Sequence, residues 1–270
     1  MRFEQVGRFE VFSWSIAGNE TCVSVRADGM RFAFDLGFAP APLVSADHVF
    51  ISHGHADHIG AIWQHMKKRH LTHLPKATYY LPQHLVQYVR TIGEAYAAMS
   101  ELGSESEFNA TLVGMAPKMR IQLPNGWSVE ALQTEHAVAS QGYLLYQKDV
   151  DGNDRPEIAY LGDSRFSVIE NAASVCPSLL STRLLIMEST FLDRPEKHLE
   201  GARRHGHTHF EEIRKNAPLF QSVENIYLVH FSARYNAEQI LRLTHTALPN
   251  WLAKRIVAST CAQRFLTMDF

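Results

Sequence analysis

Six consecutive residues, His-Gly-His-Ala-Asp-His at positions 53 to 58, constrain this chain more than any other segment. With 15 histidines in 270 residues, about 0.002 matches to this spacing are expected by chance. The segment follows a compact apolar strand that the sequence predicts at 47–52, and a loop after a strand can turn several side chains towards one point. Imidazole and carboxylate groups bind zinc. The sequence therefore predicts a metal site there, with His53, His55, Asp57 and His58 as ligands.

Further ligands are expected elsewhere, because two ions a few ångströms apart would need more ligands than this segment offers. Three candidates each follow a predicted strand: His136, Asp163 and His230. Taken alone, such a histidine is more often a hydrogen-bonded core residue, and an aspartate in Leu-Gly-Asp-Ser is more often a helix N-cap. Because all three recur at strand ends, the sequence favours a role as metal ligands.

The pattern of apolar residues and turn formers predicts the architecture. Short extended segments separated by Gly18-Asn19 and Asp28-Gly29 open the chain and indicate an antiparallel meander. Helices are predicted at 60–70 and 82–100. The last third alternates predicted strands and helices, at 184–187, 209–220, 226–229, 237–247 and 255–258. We expect two sheets packed face to face with helices outside, in a single domain over residues 1–270, since no repeat or linker interrupts the pattern.

Charge and cysteine usage exclude several classes of protein. The chain has 26 basic and 28 acidic side chains, so bulk positive charge does not hold nucleic acid, and any such contact must come from local patches. Cys22, Cys176 and Cys261 are odd in number and widely spaced, which favours a reducing compartment over a disulfide framework. No segment predicts a membrane helix or an export signal. We expect a cytoplasmic or nuclear protein.

Several segments together resemble a known family. The His-x-His-x-Asp-His motif, followed by a lone histidine, a lone aspartate and a late histidine, is similar to the metallo-β-lactamase superfamily over nearly the whole chain. Within it, the chain most resembles tRNase Z, the family of tRNA 3′-processing endonucleases, in its short plant-type form. The similar segments are AGNETCVSV, RFAFDLG, VFISHGHADHIG, LIMESTFLD, GHTHFEEI and LVHFSARY. The resemblance implies an α+β fold, the αβ/βα four-layer sandwich, with a two-metal site at one edge.

The resemblance also implies which residues bind the metals. The seven implied ligands are His53, His55 and His136 for one zinc ion, Asp57, His58 and His230 for a second, and Asp163 as a bridge between both. Zinc is expected, although nitrogen and oxygen ligands also suit Mn²⁺ or Fe²⁺. Two cations lower the pKa of water and so provide a nucleophile at neutral pH.

Catalytic roles implied by the resemblance fall on three residues. Asp57 belongs to the metal site, while Glu188 and His207 cooperate in protonating the leaving oxygen. Such a pair is needed because a ribose 3′-oxyanion is a poor leaving group, and a histidine supported by a carboxylate is a competent acid near pH 7.

Two features depart from the family pattern. Many members read His-Glu-Ala-Thr and His-Ser-Thr where this chain reads Met-Glu-Ser-Thr at 187–190 and His-Thr-His at 207–209, a wording that the plant-type form shares closely. The Gly- and Pro-rich arm with which longer bacterial members clamp tRNA has no counterpart. The sequence therefore predicts that residues outside such an arm bind the tRNA.

Local cations are the candidates for phosphate contact. One cluster is predicted first as a solvated helix end, with phosphate contact as the alternative, and it contains Lys67, Lys68, Arg69, His70, His73 and Lys76. Arg203, Arg204 and His205 form a second candidate, and its two arginines adjoin the proposed acid His207. Arg234, four residues after His230, is expected either to hold a phosphate or to brace the metal ligands through an acidic residue.

The resulting expectation is a zinc-dependent phosphodiesterase that removes 3′ trailers from precursor tRNA, as a homodimer by analogy with the family. The absent arm and the net charge of -2 motivate an alternative, a dinuclear phosphodiesterase for small or cyclic nucleotides. Another hydrolase of the superfamily, acting on thioesters or lactams, would have no use for Glu188 and His207. A metal-stabilised binding module without catalysis is the non-enzymatic alternative.

Overall fold

The computed structural model describes residues 2–101, 108, 110–246 and 248–266. Within these residues the chain forms two mixed β-sheets of seven strands each, with helices, which is an α+β fold. The prediction of two sheets with helices in both halves is thus confirmed. The chain divides into an N-terminal unit, Met1–Trp14 with Asn19–Ala116, and a C-terminal unit, Ser15–Gly18 with Pro117–Phe270.

The sheet of the N-terminal unit has its strands in chain order. They are β1 (Glu4–Val6), β2 (Phe9–Ile16), β3 (Glu20–Ala27), β4 (Met30–Phe34), β5 (His48–Phe50), β6 (Thr78–Pro82) and β7 (Thr111–Met115). The predicted hairpin between β3 and β4 is present, and both of its turn residues, Asp28 and Gly29, have the positive φ that such a turn requires. From β4 to β7 the strands are parallel. The segments that follow β4 and β5 therefore leave the sheet at the same edge.

The described residues of this unit form four α-helices: α1 (Ala41–Val44), α2 (Ala56–Ile59), α3 (Ile62–Leu71) and α4 (Val86–Met99). The predicted helices at 60–70 and 82–100 correspond to α3 and α4, the second of which follows a 3₁₀ turn. The expectation of a loop throughout the histidine-rich segment is wrong, because α2 is a helical turn inside it. No helix in the described part of the chain is long and apolar enough to cross a membrane.

The sheet of the C-terminal unit also changes from antiparallel to parallel pairing. Its strands are β8 (Arg120–Gln122), β9 (Trp127–Gln133), β10 (Gln141–Lys148), β11 (Asp154–Tyr160), β12 (Leu184–Glu188), β13 (Asn225–Val229) and β14 (Ile256–Ala258). Strands β8 to β11 pair antiparallel and β11 to β14 pair parallel. The carboxyl ends of β11, β12 and β13 consequently lie side by side, above a core that includes Leu185 and Leu228.

The helices of this unit are α5 (Ser167–Glu170), α6 (Ala172–Val175), α7 (Pro195–Arg204), α8 (Phe210–Lys215), α9 (Ala237–Thr246), α10 (Asn250–Ala253) and α11 (Gln263–Leu266). The helix predicted at 209–220 is divided into α8 and a 3₁₀ turn, because Pro218 has no N–H to continue an α-helix. The sequence does not predict helix α7, because it contains few apolar residues and Ala202 is its one buried side chain. The helix predicted at 237–247 is α9, and Ala247 lies outside the described residues.

Arg69, near the end of α3, is an internal cation rather than part of a basic surface. It is 2% exposed, and its guanidinium donates to the carbonyl oxygens of Pro75, Val44 and Ala46 and to Asp47 Oδ1, at 2.6 to 3.0 Å. Both interpretations from the sequence, a solvated helix end and a phosphate contact, are therefore wrong for Arg69. Its planar fork connects α3 to the segment between α1 and β5.

We predict that Arg69→Lys lowers the free energy of unfolding by about 2 to 4 kcal/mol, because an ammonium group cannot reach all four acceptors and leaves buried carbonyls unsatisfied. Chemical denaturation measures the change. The control is His70→Ala at the exposed neighbouring position, which should change stability by less than about 0.5 kcal/mol. Equal effects of the two substitutions would contradict a structural role for Arg69.

Candidate active site

In the N-terminal unit, the residues after β5 and those of α2 bring four side chains together. The rings of His53 and His58 are buried with their centroids 4.2 Å apart. His53 Nε2 lies 3.0 Å from His55 Nδ1, and Asp57 Oδ2 lies 3.4 Å from His58 Nε2. Two nitrogens bound to one tetrahedral zinc ion lie about 3.3 Å apart. The spacing of these nitrogen and oxygen atoms therefore fits a divalent ion.

Asp35, directly after β4, holds two of these histidines in one orientation. Ser52 donates its N–H to Asp35 Oδ1 and its hydroxyl to Asp35 Oδ2, both at 2.7 Å, and His58 Nδ1 lies 2.6 Å from Oδ2. Because the hydroxyl proton of Ser52 goes to Asp35, His53 Nδ1 is the donor in its 2.9 Å contact with Ser52 Oγ. His53 and His58 therefore carry their protons on Nδ1, and the lone pair on Nε2 of each ring is available to bind a metal ion.

Sequence reasoning missed this role of Asp35. The residue ends a predicted strand in RFAFDLG, so the rule that selected Asp163 and His230 could have selected it too. Asp35 is also buried with a φ of 55°, a left-handed conformation that few residues other than glycine adopt. Its carboxylate accepts hydrogen bonds from Ser52 and His58 and so orients both, and it also lies with His53 and His58 in a group that could hold a metal ion.

In the C-terminal unit, the parallel strand ends bring together a second set of side chains. Asp163, Glu188, His207 and His230 each offer a ligand atom within 4.8 Å of the others. Asp163 Oδ2 lies 3.3 Å from His230 Nε2 and 3.9 Å from His136 Nε2. Imidazole nitrogens and carboxylate oxygens are again the donors that zinc takes. The donor chemistry of this cluster fits a divalent ion as well.

His136 is fixed by a contact that requires glycine at position 206. Its Nδ1 donates to the carbonyl oxygen of Gly206 over 2.9 Å, so Nε2 is the atom directed towards Asp163. Gly206 has a φ of 81°, and a Cβ there would lie 2.7 Å from His136 Nδ1. Burial lowers the pKa of His136, although Asp163 opposes the shift. The neutral imidazole, the form that binds metals, is favoured.

Glu188 and His207 form a hydrogen-bonded pair beside this cluster. His207 Nδ1 donates to Glu188 Oε1 over 2.9 Å, and the same oxygen accepts the N–H of Ser164 at 2.9 Å. Glu188 is 1% exposed, whereas the His207 side chain is 19% exposed. The buried carboxylate thus orients a partly accessible imidazole, an arrangement suited to general acid catalysis.

The arginines that are candidates for phosphate contact differ in the side chains with which they already interact. Arg203 Nε donates to Glu212 Oε1 at 2.8 Å, while the neighbouring Arg204 is exposed. Arg234 contacts His198 Nε2 at 2.9 Å, and its guanidinium carbon lies 5.0 Å from the centre of the Phe191 ring. The alternative that Arg234 braces metal ligands through an acidic residue is therefore wrong within the described part of the chain.

The first predicted basic cluster is also smaller than the sequence indicates. Besides the burial of Arg69, the ammonium group of Lys68 donates to the carbonyl oxygen of Ala39 at 2.6 Å. His70, His73 and Lys76 remain exposed. Fewer cations than predicted are therefore presented to solvent by this segment.

Comparison with known proteins places the fold in a class. A family model described as "Beta-lactamase superfamily domain" matches residues 21–231. The structure of the short form of human tRNase Z has a TM-score of 0.65 with this one, at 19% sequence identity over 93% of this chain and 96% of that chain. Two mixed sheets with His/Asp clusters where their parallel strands end define a metal-dependent hydrolase of the metallo-β-lactamase fold.

Sequence relatives narrow the class to a family. The tRNase Z TRZ1 of Arabidopsis thaliana is 32% identical over 95% of this chain and 96% of that protein. A nuclear ribonuclease Z of Triticum aestivum is 34% identical over 53% of this chain and 77% of its own length. The chain belongs to the tRNase Z family, which confirms the resemblance drawn from its motifs.

We predict that Asp35→Asn weakens zinc binding by about 10- to 100-fold, because an amide replaces an acceptor that fixes His58 and Ser52. Competition with a chromophoric chelator measures the affinity, and circular dichroism reports on folding. Asp28→Asn, in the exposed ion pair with Arg8, is the matched control and should leave the affinity unchanged. Unaltered zinc binding in Asp35→Asn would show that its hydrogen bonds do not support the ligands.

Proposed function

We propose that this protein is an endoribonuclease that removes the 3′ trailer from precursor tRNA by hydrolysis after the discriminator base. Membership of the tRNase Z family supports the substrate class. The observation that carries the proposal is the 2.9 Å bond between the buried carboxylate of Glu188 and Nδ1 of the partly exposed His207. A phosphodiester with a poor leaving oxygen needs such an acid.

We further propose that residues 1–270 act as one hydrolase domain with one dinuclear centre. Its proposed ligands are His53, His55, Asp57, His58, His136, Asp163 and His230, with zinc as the expected metal. The Nδ1 hydrogen bonds of His53, His58 and His136 support this assignment, because they leave Nε2 as the ligand atom. When bound, two divalent ions would provide a nucleophile by lowering the pKa of water.

The residues of the C-terminal unit complete the reaction. Water adds to the phosphorus and loses a proton to solvent, and the bond from phosphorus to O3′ of the last retained nucleotide breaks. His207, held by Glu188 through Nδ1, gives its Nε2 proton to the departing O3′. The products are a tRNA with a 3′-hydroxyl and a trailer with a 5′-phosphate, and Glu188 supports the positive charge on His207 before transfer.

Substrate contact is proposed for Arg203, Arg204 and Arg234. Each guanidinium can pair with a phosphate, and contacts with Glu212 and with His198 already hold the first and the last of them. Homodimerisation is proposed by analogy with the family. A cytoplasmic or nuclear location is proposed from the cysteine usage, and the nuclear relative from wheat agrees with it.

We predict that His207→Ala and Glu188→Gln each lower single-turnover cleavage of a 3′-extended tRNA transcript by about 10²- to 10⁴-fold, because protonation of the leaving oxygen is lost. His245→Ala, at an exposed position near the end of α9, is the control and should retain activity. Near-normal activity in His207→Ala would instead favour a substrate whose leaving group needs no acid.

The same assay distinguishes precursor tRNA from the alternative class of substrate, a small or cyclic phosphodiester. The burial of Arg69 and the engagement of Lys68 leave few exposed cations in that segment, an observation that favours a small phosphodiester. Absence of trailer release, with cleavage of a chromogenic phosphodiester retained, would move the assignment to small or cyclic nucleotide substrates.

We predict two zinc ions per chain after removal of metal with a chelator and reloading, measured by inductively coupled plasma mass spectrometry. Asp163→Ala should reduce the occupancy of both ions, because the proposed bridging carboxylate contributes to both. Asp193→Ala, whose carboxylate accepts a hydrogen bond from Tyr235, is the control. A single ion, or two ions that persist in Asp163→Ala, would contradict the dinuclear assignment.

A further inference from the structure

Thr190 contacts both a candidate metal ligand and the candidate acid pair. Its hydroxyl oxygen lies 2.5 Å from Glu188 Oε2 and 3.1 Å from His230 Nδ1, and the residue is 5% exposed. The sequence offers no reason to assign it a role beyond its place in Met-Glu-Ser-Thr. Because Thr190 lies between a carboxylate and an imidazole, the direction of its two hydrogen bonds determines which nitrogen of the imidazole carries the proton.

Counting protons fixes both directions. A threonine hydroxyl has one proton, and an ionised carboxylate can only accept, so Thr190 Oγ1 donates to Glu188 Oε2. His230 Nδ1 must then be the donor in its contact with Thr190 Oγ1. The neutral ring of His230 consequently has its lone pair on Nε2, the atom that lies 3.3 Å from Asp163 Oδ2. Thr190 therefore selects the tautomer that a metal ligand requires at this position.

The same hydroxyl also determines where the acid pair lies. Glu188 uses Oε2 for Thr190 and Oε1 for Ser164 and His207. Its carboxylate plane is thus fixed from both sides, and the orientation of His207 depends on that plane. One continuous series of hydrogen bonds runs from His230 through Thr190 and Glu188 to His207.

The backbone of Thr190 is held by the two segments that carry these histidines. Its N–H donates to the carbonyl oxygen of Thr208 at 3.1 Å, and its own carbonyl accepts the N–H of Ser232 at 3.0 Å. A β-branched side chain on such a fixed backbone has few rotamers. The hydroxyl is therefore pre-positioned, and its bonds to Glu188 and His230 form with little loss of side-chain entropy.

We propose that Thr190 is a positioning residue that orients His230 for metal binding and Glu188 with His207 for proton transfer. The part that concerns metal binding stands on the hydrogen bonds alone. The part that concerns proton transfer rests on the proposed function. A threonine that only packed in the core would require its methyl group and would tolerate loss of the hydroxyl with a change in stability alone.

Two substitutions separate the hydroxyl from the shape of the side chain. Thr190→Val keeps the shape and removes the hydroxyl, whereas Thr190→Ser keeps the hydroxyl and removes a methyl group. The matched control is Thr182→Val, at a fully buried threonine of the same unit whose hydroxyl donates to the carbonyl oxygen of Leu179. Zinc affinity is measured by chelator competition, and kcat and KM are measured with a 3′-extended tRNA at saturating zinc.

We expect Thr190→Val to weaken zinc binding by about 10- to 100-fold, as removal of an outer hydrogen-bond partner of a ligand does elsewhere. Its kcat should fall by at least about 10-fold with KM within about 2-fold, because the acid pair acts on bound substrate. Thr190→Ser should stay within about 3-fold of the parent protein in both measurements. Thr182→Val should unfold more easily while its zinc affinity and kcat stay unchanged.

Unaltered zinc affinity in Thr190→Val, or equal losses in Thr190→Ser and Thr190→Val, would overturn the proposal. Imidazole ¹⁵N chemical shifts give a second measurement, in which His230 should lose its defined Nδ1–H tautomer in Thr190→Val and keep it in Thr190→Ser. If the parent protein cleaves no tRNA, the proposed function fails. Zinc affinity and the His230 tautomer then decide the positioning role by themselves.

Discussion

Four of the histidines that are proposed as metal ligands share one hydrogen-bonding arrangement, on which the proposed chemistry depends. His53, His58, His136 and His230 each donate from Nδ1 to an oxygen atom. The acceptors differ: a serine hydroxyl, a carboxylate, a backbone carbonyl and a threonine hydroxyl. The outcome is the same in each case, because the proton is held on Nδ1 and the lone pair stays on Nε2. Imidazoles arranged in this way are ready to bind a cation without rearrangement of their protons.

The backbone places these groups by the same means in both units. Asp35 follows β4 and His230 follows β13, and each has a positive φ, 55° and 63°. Residues other than glycine seldom adopt this conformation, and such strain persists only where surrounding contacts determine it. At these two positions the contacts are the hydrogen bonds to Ser52 and His58 and the bond to Thr190. At both strand ends, the residue with the unfavourable backbone conformation, Asp35 or His230, is therefore the one whose side chain takes part in the hydrogen bonds of the candidate site.

The sequence predicts strands and individual chemical groups better than it predicts their partners. The strand predicted at 226–229 and the helix predicted at 60–70 match β13 and α3 within two residues, because apolar periodicity is a local property. The bond from Asp35 to His58 joins residues 23 positions apart, and the bond from Thr190 to His230 joins residues 40 apart. No local pattern encodes such pairs.

Charge is the property for which the sequence is most misleading. A run of basic residues near the end of α3 indicates an exposed patch, yet Arg69 is turned inwards because carbonyl oxygens there require donors. Of the cations proposed to contact RNA, Arg203 is instead held by Glu212. Arg234 lies over Phe191 and is bonded to His198, so part of its rotamer entropy is lost before any phosphate binds. A guanidinium held in this way loses less entropy when it binds a phosphate, which favours the substrate contact that is proposed for Arg234.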